Sequence, residues 1–221
     1  MKKALLLASV SAVLTANTAY ADLLGANAEF GIFQAENTLT TDSSSVFDLK
    51  DESGQYFSAD VQHFIPLIPN VRVDAFSLST TGTSTTAGVS STAKLDIETK
   101  DITGYYGLGL LWVGIEGGLT VRNLEMDYDV GGSTTSVSKS AIPMLYLAAT
   151  IDIPGTGITL AAESKVISSF DDTTIDDETF KIQYSTPFLV GVEAGYRSLE
   201  QKVKNTESKT SGYFIGVTLD I

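Results

Sequence analysis

The sequence contains no cysteine, a single histidine and few basic residues. Of its 221 residues, 14 are lysine or arginine and 27 are aspartate or glutamate, which gives a formal charge of −13. The absence of cysteine excludes disulfides and thiolate metal sites, and it is compatible with passage through an oxidising compartment. Proteins that bind nucleic acid need patches of lysine and arginine to contact phosphates, so we expect no nucleic-acid partner.

The first 21 residues have the pattern of a cleaved signal peptide. Lys2 and Lys3 are followed by a short apolar stretch, residues 4–14, and then by Ala19-Tyr20-Ala21, an A-x-A cleavage site. That stretch is shorter than the ~20 residues of a membrane-spanning helix, and no comparable run follows it. We therefore expect export, cleavage after Ala21 and one mature domain over residues 22–221, without a transmembrane helix.

The last ten residues alternate strictly between two faces. One face is apolar and carries Tyr213, Ile215, Val217, Leu219 and Ile221; the other carries Gly212, Phe214, Gly216, Thr218 and Asp220. A period of two residues predicts an extended strand. A soluble domain rarely ends on such a strand, whereas a barrel does so because its last strand must close against its first.

Nine earlier segments alternate in a similar way. They cover residues 24–33, 55–64, 71–78, 95–107, 112–126, 139–153, 158–170, 179–185 and 189–203. The fourth segment changes parity between Leu95 and Ile102, which predicts a β-bulge near residues 99–101. No stretch shows a convincing helical period, so the fold class predicted is all-β.

The connections between these segments alternate in length. Polar loops are predicted at residues 36–53, 79–93, 130–138, 171–178 and 201–210, with short turns between the other pairs of segments. This alternation of long and short connections is typical of a transmembrane, antiparallel up-and-down barrel, here of ten strands with eight as the alternative. The strands of a soluble β-sandwich also alternate between polar and apolar residues, but long and short connections do not usually alternate between them.

Aromatic residues near both sets of connections predict two membrane-interface girdles. One would contain Phe64, Tyr106, Trp112, Tyr184 and Phe188, and the other Phe33, Phe47, Phe76, Tyr128, Phe170 and Phe180.

The alternating apolar residues of its terminal strand make the chain resemble the outer-membrane β-barrel proteins of Gram-negative bacteria. The proline turn over residues 66–73 and the run 195–198 are similar to a family of small outer-membrane proteins without an assigned activity, of the general OmpA/OmpX type. The resemblance implies that Tyr213, Ile215, Val217, Leu219 and Ile221 form the insertion signal read by the barrel-assembly machinery, although Ile221 replaces the usual terminal aromatic residue. It also implies outer-membrane lipids and lipopolysaccharide as surroundings.

The face opposite the apolar one is rich in charge. Since a charged side chain facing lipid at the midplane costs ~2–4 kcal/mol for Arg or Lys, these residues are expected inside the barrel. The predicted lumen network contains Glu29, Asp60, Arg72, Asp74, Glu116, Arg122, Glu163, Lys165, Lys181, Glu193 and Arg197. Six acids against five bases should pair and fill a narrow barrel, which predicts a plugged or very narrow lumen.

The sequence offers few candidate catalytic or metal-binding residues. His63 lies beside a predicted turn, and an interfacial side chain is a better interpretation than a catalytic one. The pairs Asp171/Asp172 and Asp176/Asp177 show no EF-hand spacing, so a solvated acidic loop, or loose divalent bridging to lipopolysaccharide, is expected rather than a calcium site. No catalytic residue, cofactor or metal is predicted.

Three functions are consistent with this sequence. The first is a structural or surface-exposed outer-membrane barrel with a closed lumen. The second is a narrow channel for small solutes or apolar molecules. The third, an enzyme of barrel fold, is the least favoured because the single histidine is poorly placed.

Overall fold

A computed structural model describes residues 24–41, 45–65, 67–86 and 89–221. The predicted signal peptide and its cleavage site lie outside these residues. The strands are β1 (Leu24–Thr41), β2 (Ser45–His63), β3 (Asn70–Thr86), β4 (Val89–Leu110), β5 (Val113–Val130), β6 (Ser133–Ile153), β7 (Ile158–Phe170), β8 (Thr173–Ser185), β9 (Val190–Val203) and β10 (Thr206–Asp220). Among the described residues, no helix is long and apolar enough to span a membrane.

The ten strands form a closed barrel in which each strand pairs antiparallel with its neighbours in sequence. The last strand closes on the first in one continuous ladder, from Asn27 opposite Asp220 to Thr41 opposite Thr206. Around the terminal half every strand is paired on both sides, which is the condition for a β-structure to cross lipid. In the distal half, residues 133–144 of β6 pair with β5 but not with β7. The prediction of an up-and-down barrel with ten strands is confirmed.

The barrel has two distinct ends. At the terminal end, which holds Leu24 and Asp220, the strands are joined by residues 64–69, 111–112, 154–157 and 186–189. At the distal end, β5 turns into β6 at Gly131 and Gly132, β7 into β8 at Asp171 and Asp172, and β9 into β10 at residues 204–205. Both glycines and both aspartates have positive φ, the left-handed conformation that tight hairpins require.

The long loops predicted at the distal end are wrong, because most of the described residues in those ranges continue the strands. The predicted loop 201–210, for example, is the paired hairpin of β9 and β10, with Val203 opposite Thr206. The polar composition is misleading because the inner face of these strands mixes buried polar residues, such as Ser208 and Thr210, with apolar ones. Their inner face carries buried apolar residues such as Leu39, Leu95 and Leu199, which hold the extensions together.

Around the terminal half of the barrel, apolar side chains point outward. Ile102, Leu119, Tyr213 and Ile215 are 61%, 67%, 73% and 60% exposed. From Tyr213 on β10 to Ile221 just beyond it, the outward apolar residues span nine positions, which fits the ~9–11 residues that a tilted strand needs to cross a bilayer. An exposed apolar surface of this extent is stable only in lipid.

The aromatic girdle predicted at the terminal end is present, since Phe64, Tyr106, Trp112, Tyr184 and Phe188 are all exposed. The other predicted girdle is largely wrong. Phe33 and Phe76 are inside the barrel, where their rings meet edge to face at 5.6 Å, and Tyr128 packs against the same core. Phe170 and Phe180 are exposed, and the Phe47 side chain lies outside the described residues.

The predicted β-bulge in β4 is also wrong. The strand pairs without interruption with β3 and with β5 through residues 99–101. Instead, the polarity of the two faces reverses there: Ile97 is buried inside the barrel, whereas Ile102 is exposed outside it. The terminal half is therefore polar inside and apolar outside, and the distal half is apolar inside and polar outside.

Candidate functional site

The distal half of the barrel is filled by an apolar core that we call the distal plug. Its residues are nearly inaccessible to solvent. They are Phe33, Ala35, Leu39, Leu49, Phe76, Leu78, Ala93, Leu95, Ile97, Leu124, Met126, Ile142, Met144, Ile175, Leu199, Val203 and Phe214. Close packing of this kind fills the interior of the barrel at this level.

Directly beneath the plug, Arg122 ties three strands together. Its Nε and Nη2 donate to the two carboxylate oxygens of Asp101, each at 2.7 Å, and Nη2 also donates to Asp177 at 2.6 Å. Arg197 donates to the same Asp177 at 2.8 and 2.7 Å. Its guanidinium lies over the Phe76 ring, 4.7 Å from the centroid, so this layer joins the plug to the charges below.

The next layer contains Lys165 and Arg72. The Lys165 amine donates to Asp74 at 2.8 Å and to Asp101 at 3.3 Å. Arg72 contacts Asp74 at 2.8 Å and Glu163 at 3.0 Å. Because each carboxylate is shared between two bases, the pairs form one connected network rather than isolated ion pairs.

A third group reaches from β8 and β9 across the lumen to β1 and β2. Lys181 donates to Glu29 at 2.5 Å and to Glu193 at 3.1 Å. The Tyr56 hydroxyl donates to the other oxygen of Glu193 at 2.6 Å. Gly31 and Gly216 sit opposite each other on β1 and β10, and a side chain at either would meet the Tyr56 hydroxyl.

Nearer the terminal end, the carboxylates have no basic partners among the described residues. Asp60 accepts from the Tyr105 hydroxyl at 2.5 Å, and Glu116 accepts from the Tyr146 hydroxyl at 2.7 Å. Asp152 accepts from Thr159, and Asp220 from Asn27 and Ser185. We call these four residues, Asp60, Glu116, Asp152 and Asp220, the acidic layer.

These layers surround a cavity of about 1020 Å³, which we call the vestibule. Its lining runs from Asp101 and Asp177 beneath the distal plug to Phe64, Ile68 and Leu111 at the turns. The vestibule therefore lies below the distal plug and reaches the turns of the terminal end, where it has its mouth.

All eleven charges that alternation places in the lumen lie on the inner face. Nine of them join the connected network, whereas Asp60 and Glu116 belong to the acidic layer. Sequence reasoning missed Asp101, Asp177 and the three tyrosines. Asp177 has the same parity as Lys181 on β8, so alternation could have placed it inside the barrel. It was missed because the predicted strand begins only at Thr179, whereas β8 begins at Thr173.

The remaining sequence candidates do not come together as a reactive site. His63 lies at the vestibule mouth, and its Nε2 is 3.2 Å from the Pro69 carbonyl oxygen. Asp171 and Asp172 form a distal turn, while Asp176 points outward and Asp177 inward. Within the described residues, no group of three or more His, Cys, Asp or Glu side chains could hold a metal ion.

The five residues of the terminal alternation, Tyr213 to Ile221, are exposed on the outer face. In the described structure they form part of the lipid-facing surface and contribute nothing to the lumen.

No protein-family model and no curated protein matches the sequence. Among solved structures, the outer membrane protease OmpT from Escherichia coli is similar with a TM-score of 0.51 and 9% identity, over 91% of this chain and 98% of that chain. Ail, the attachment invasion locus protein of Yersinia pestis, aligns with a TM-score of 0.44 and 10% identity, over 90% and 99%. Neisserial surface protein A gives 0.35 and 16%, over 89% and 96%. The likeness to OmpT shows that the chain has the fold of an outer-membrane barrel.

Proposed function

We propose that this protein is an integral outer-membrane barrel of a Gram-negative bacterium with a structural or surface-exposed role and a closed lumen. The observation that carries the proposal is the distal plug stacked on the layer of Arg122, Asp101 and Asp177. Together they seal the barrel at one end, while the apolar outer band fits it to lipid. Outer-membrane lipids, lipopolysaccharide and, during insertion, the barrel-assembly machinery are the partners proposed.

The orientation follows from the position of the termini. In bacterial barrels both termini are periplasmic, so the terminal end would face the periplasm and the distal end the cell exterior. The polar outer surface of the distal end, with ion pairs such as Lys94–Asp96 at 2.7 Å, suits contact with water and lipopolysaccharide headgroups.

Because the chain lacks cysteine, a single introduced thiol reports its position without background. Ser136→Cys, in the exposed distal part of β6, should react with a membrane-impermeant maleimide on intact cells. Thr156→Cys, in a turn of the terminal end, should react only after the outer membrane is permeabilised. The reverse pattern would refute the proposed orientation.

Conductance in planar bilayers tests the closed lumen. The wild type should pass almost no current, whereas replacing Leu124 and Met126 together by serine should produce a steady conductance, because it hydrates the plug. A matched change on the outer face, Glu125→Ser, should produce no measurable conductance. Large, steady current through the wild type would instead support the alternative of a narrow channel for small solutes or apolar molecules, which the one-ended vestibule also suggests.

We propose no enzymatic activity. The likeness to a protease concerns the fold, and His63 contacts a backbone carbonyl at the terminal end rather than a nucleophile. A hydrolytic activity that is lost in His63→Ala but retained in the exposed variant Lys209→Ala would overturn this view.

A further inference from the structure

We propose that the vestibule binds small primary ammonium compounds with a short apolar chain, which enter from the terminal end. The ammonium group would sit in the acidic layer, and the chain would lie against the apolar wall of the mouth. This site is separate from the proposed surface role and does not depend on which compartment the terminal end faces.

The first argument is the separation of charge along the barrel axis. Beneath the distal plug, six carboxylates share five bases, so that region is nearly neutral. The acidic layer holds four carboxylates and, within the described part of the chain, no ion-pair partner. A concave, low-dielectric wall focuses the field of such a layer, so the mouth attracts cations and repels anions.

The second argument concerns Asp60, which lines the vestibule and is only 7% exposed. Its Oδ2 accepts from Tyr105 at 2.5 Å, and the Gln62 side chain lies near the same carboxylate, but the buried Oδ1 makes no hydrogen bond of good geometry with the described residues. Buried carboxylate oxygens are normally satisfied. An ammonium N–H would supply the missing donor as a charge-assisted hydrogen bond.

The third argument is the apolar side of the mouth. Ile65 and Ile68, from the β2–β3 turn, and Leu108 and Leu111, around the β4–β5 turn, line the vestibule together with the acidic layer. The two turns are held side by side by the Tyr106 hydroxyl, which donates to the Leu67 carbonyl at 2.9 Å. A site with one charged and one apolar wall selects a ligand that has both characters.

The arrangement favours an organic cation over a metal ion. The four carboxylates come from β2, β5, β6 and β10, and no described group of three could hold one metal. The volume of about 1020 Å³ lies at the upper end of the ~300–1,000 Å³ usual for small-molecule sites. A metal ion would leave most of that space unfilled.

The test uses the full barrel in phosphatidylcholine nanodiscs and isothermal titration with hexylammonium. Hexanesulfonate and hexanol are the matched anionic and neutral probes, and empty nanodiscs give the partitioning background. We expect saturable binding of hexylammonium alone.

Variants separate the two walls of the site. Asp60→Asn and Glu116→Gln should each weaken hexylammonium binding about tenfold, the effect of one lost charge-assisted hydrogen bond. Leu111→Ser should weaken hexylammonium but not methylammonium. Asp96→Asn, on the distal outer face, should change neither, and heat-modifiable migration on gels verifies that each variant is folded.

Equal binding of hexanol or hexanesulfonate would overturn the proposal, and so would hexylammonium affinity that is unchanged in both carboxylate variants. Tighter binding of Mg²⁺ than of hexylammonium, with competition between them, would overturn the organic-cation assignment. None of these outcomes bears on the conductance test of the closed lumen, so the two proposals fail separately.

Discussion

Arg122 and Asp101 face each other across β5 and β4 and are joined by two parallel hydrogen bonds of 2.7 Å. The next inward residue on β5 is Leu124, which belongs to the distal plug. The pair therefore marks the level at which the interior of the barrel changes from charged to apolar. Its burial is complete on the arginine side, where the side chain is 0% exposed.

Arg122→Ala should be strongly destabilising. It would leave Asp101 without its bidentate partner and Asp177 with Arg197 alone, and removing one member of a buried pair costs ~3–5 kcal/mol, or less where water enters. We expect a lower midpoint of thermal unfolding, followed by heat-modifiable gel migration. Lys209→Ala removes an exposed base that pairs with Glu200 at 3.2 Å, and it should leave the midpoint nearly unchanged.

Gly216→Ala should disturb the contact between Tyr56 and Glu193. The added methyl group would overlap the Tyr56 hydroxyl and lie 2.8 Å from the Phe30 carbonyl oxygen, so neighbouring atoms must move. Overpacking of this kind costs roughly 1–3 kcal/mol. Gly109→Ala is the control, because nothing lies within 4 Å of its added carbon.

A double variant locates the strain. If the Tyr56 hydroxyl is the main obstacle, Gly216→Ala combined with Tyr56→Phe should be more stable than the sum of the two single changes predicts. Simple additivity would place the strain at the Phe30 carbonyl instead.

Leu219→Asp should impair assembly. Leu219 points to the lipid side, 45% exposed, within the apolar alternation of β10. A carboxylate there carries a depth-dependent penalty, smaller than the ~2–4 kcal/mol of a midplane Arg or Lys, and it also interrupts the proposed insertion signal. The yield of folded barrel in membranes is the measurement, with Ser211→Asp, beyond the band on the same strand, as the control. A normal yield of folded Leu219→Asp would show that Leu219 is not needed for insertion.

The distal link between Lys139 and Asp171 should respond to acid. The hydrogen bond and positive charge of Lys139 lower the pKa of the Asp171 carboxyl below its usual value near 3.8. A depressed carboxyl pKa stabilises the folded state above the usual value, and this contribution is lost as the pH falls through the lowered pKa. Carbon-13 titration of the Asp171 carboxyl should therefore show a lower midpoint in the wild type than in Lys139→Met.

Alternation along the sequence was sufficient to predict ten strands, closure of the barrel and an inward position for eleven charges. It could not show which face of a strand is inside, since a period of two residues only separates the faces. The rule that apolar residues face outward holds for Ile102 and fails for Ile97, five residues away on the same strand. This reversal explains both the bulge that was wrongly predicted and the misplacement of Phe33 and Phe76.

The prediction of long distal loops was wrong for a related reason. Serine, threonine and glycine around residues 79–93 and 130–138 suggested irregular structure, yet Ala93, Leu95 and Met126 anchor those strands from within. The partners of each charge, such as Lys165 with Asp74 at 2.8 Å, depend on register across non-adjacent strands. No feature of one sequence encodes that pairing directly.

In the β5–β6 hairpin the paired strands continue to the tip at Gly131 and Gly132, which holds this part of the distal surface in one shape before any encounter. A molecule that docks on β5 and β6 near Gly131 would meet backbone already held by the ladder from Leu124 to Val130. Little conformational entropy would then be lost on association, whereas an irregular loop loses ~1–2 kcal/mol for each residue that becomes ordered. Recognition at this surface would favour rigid partners of complementary outline, with calorimetry showing a small entropic penalty.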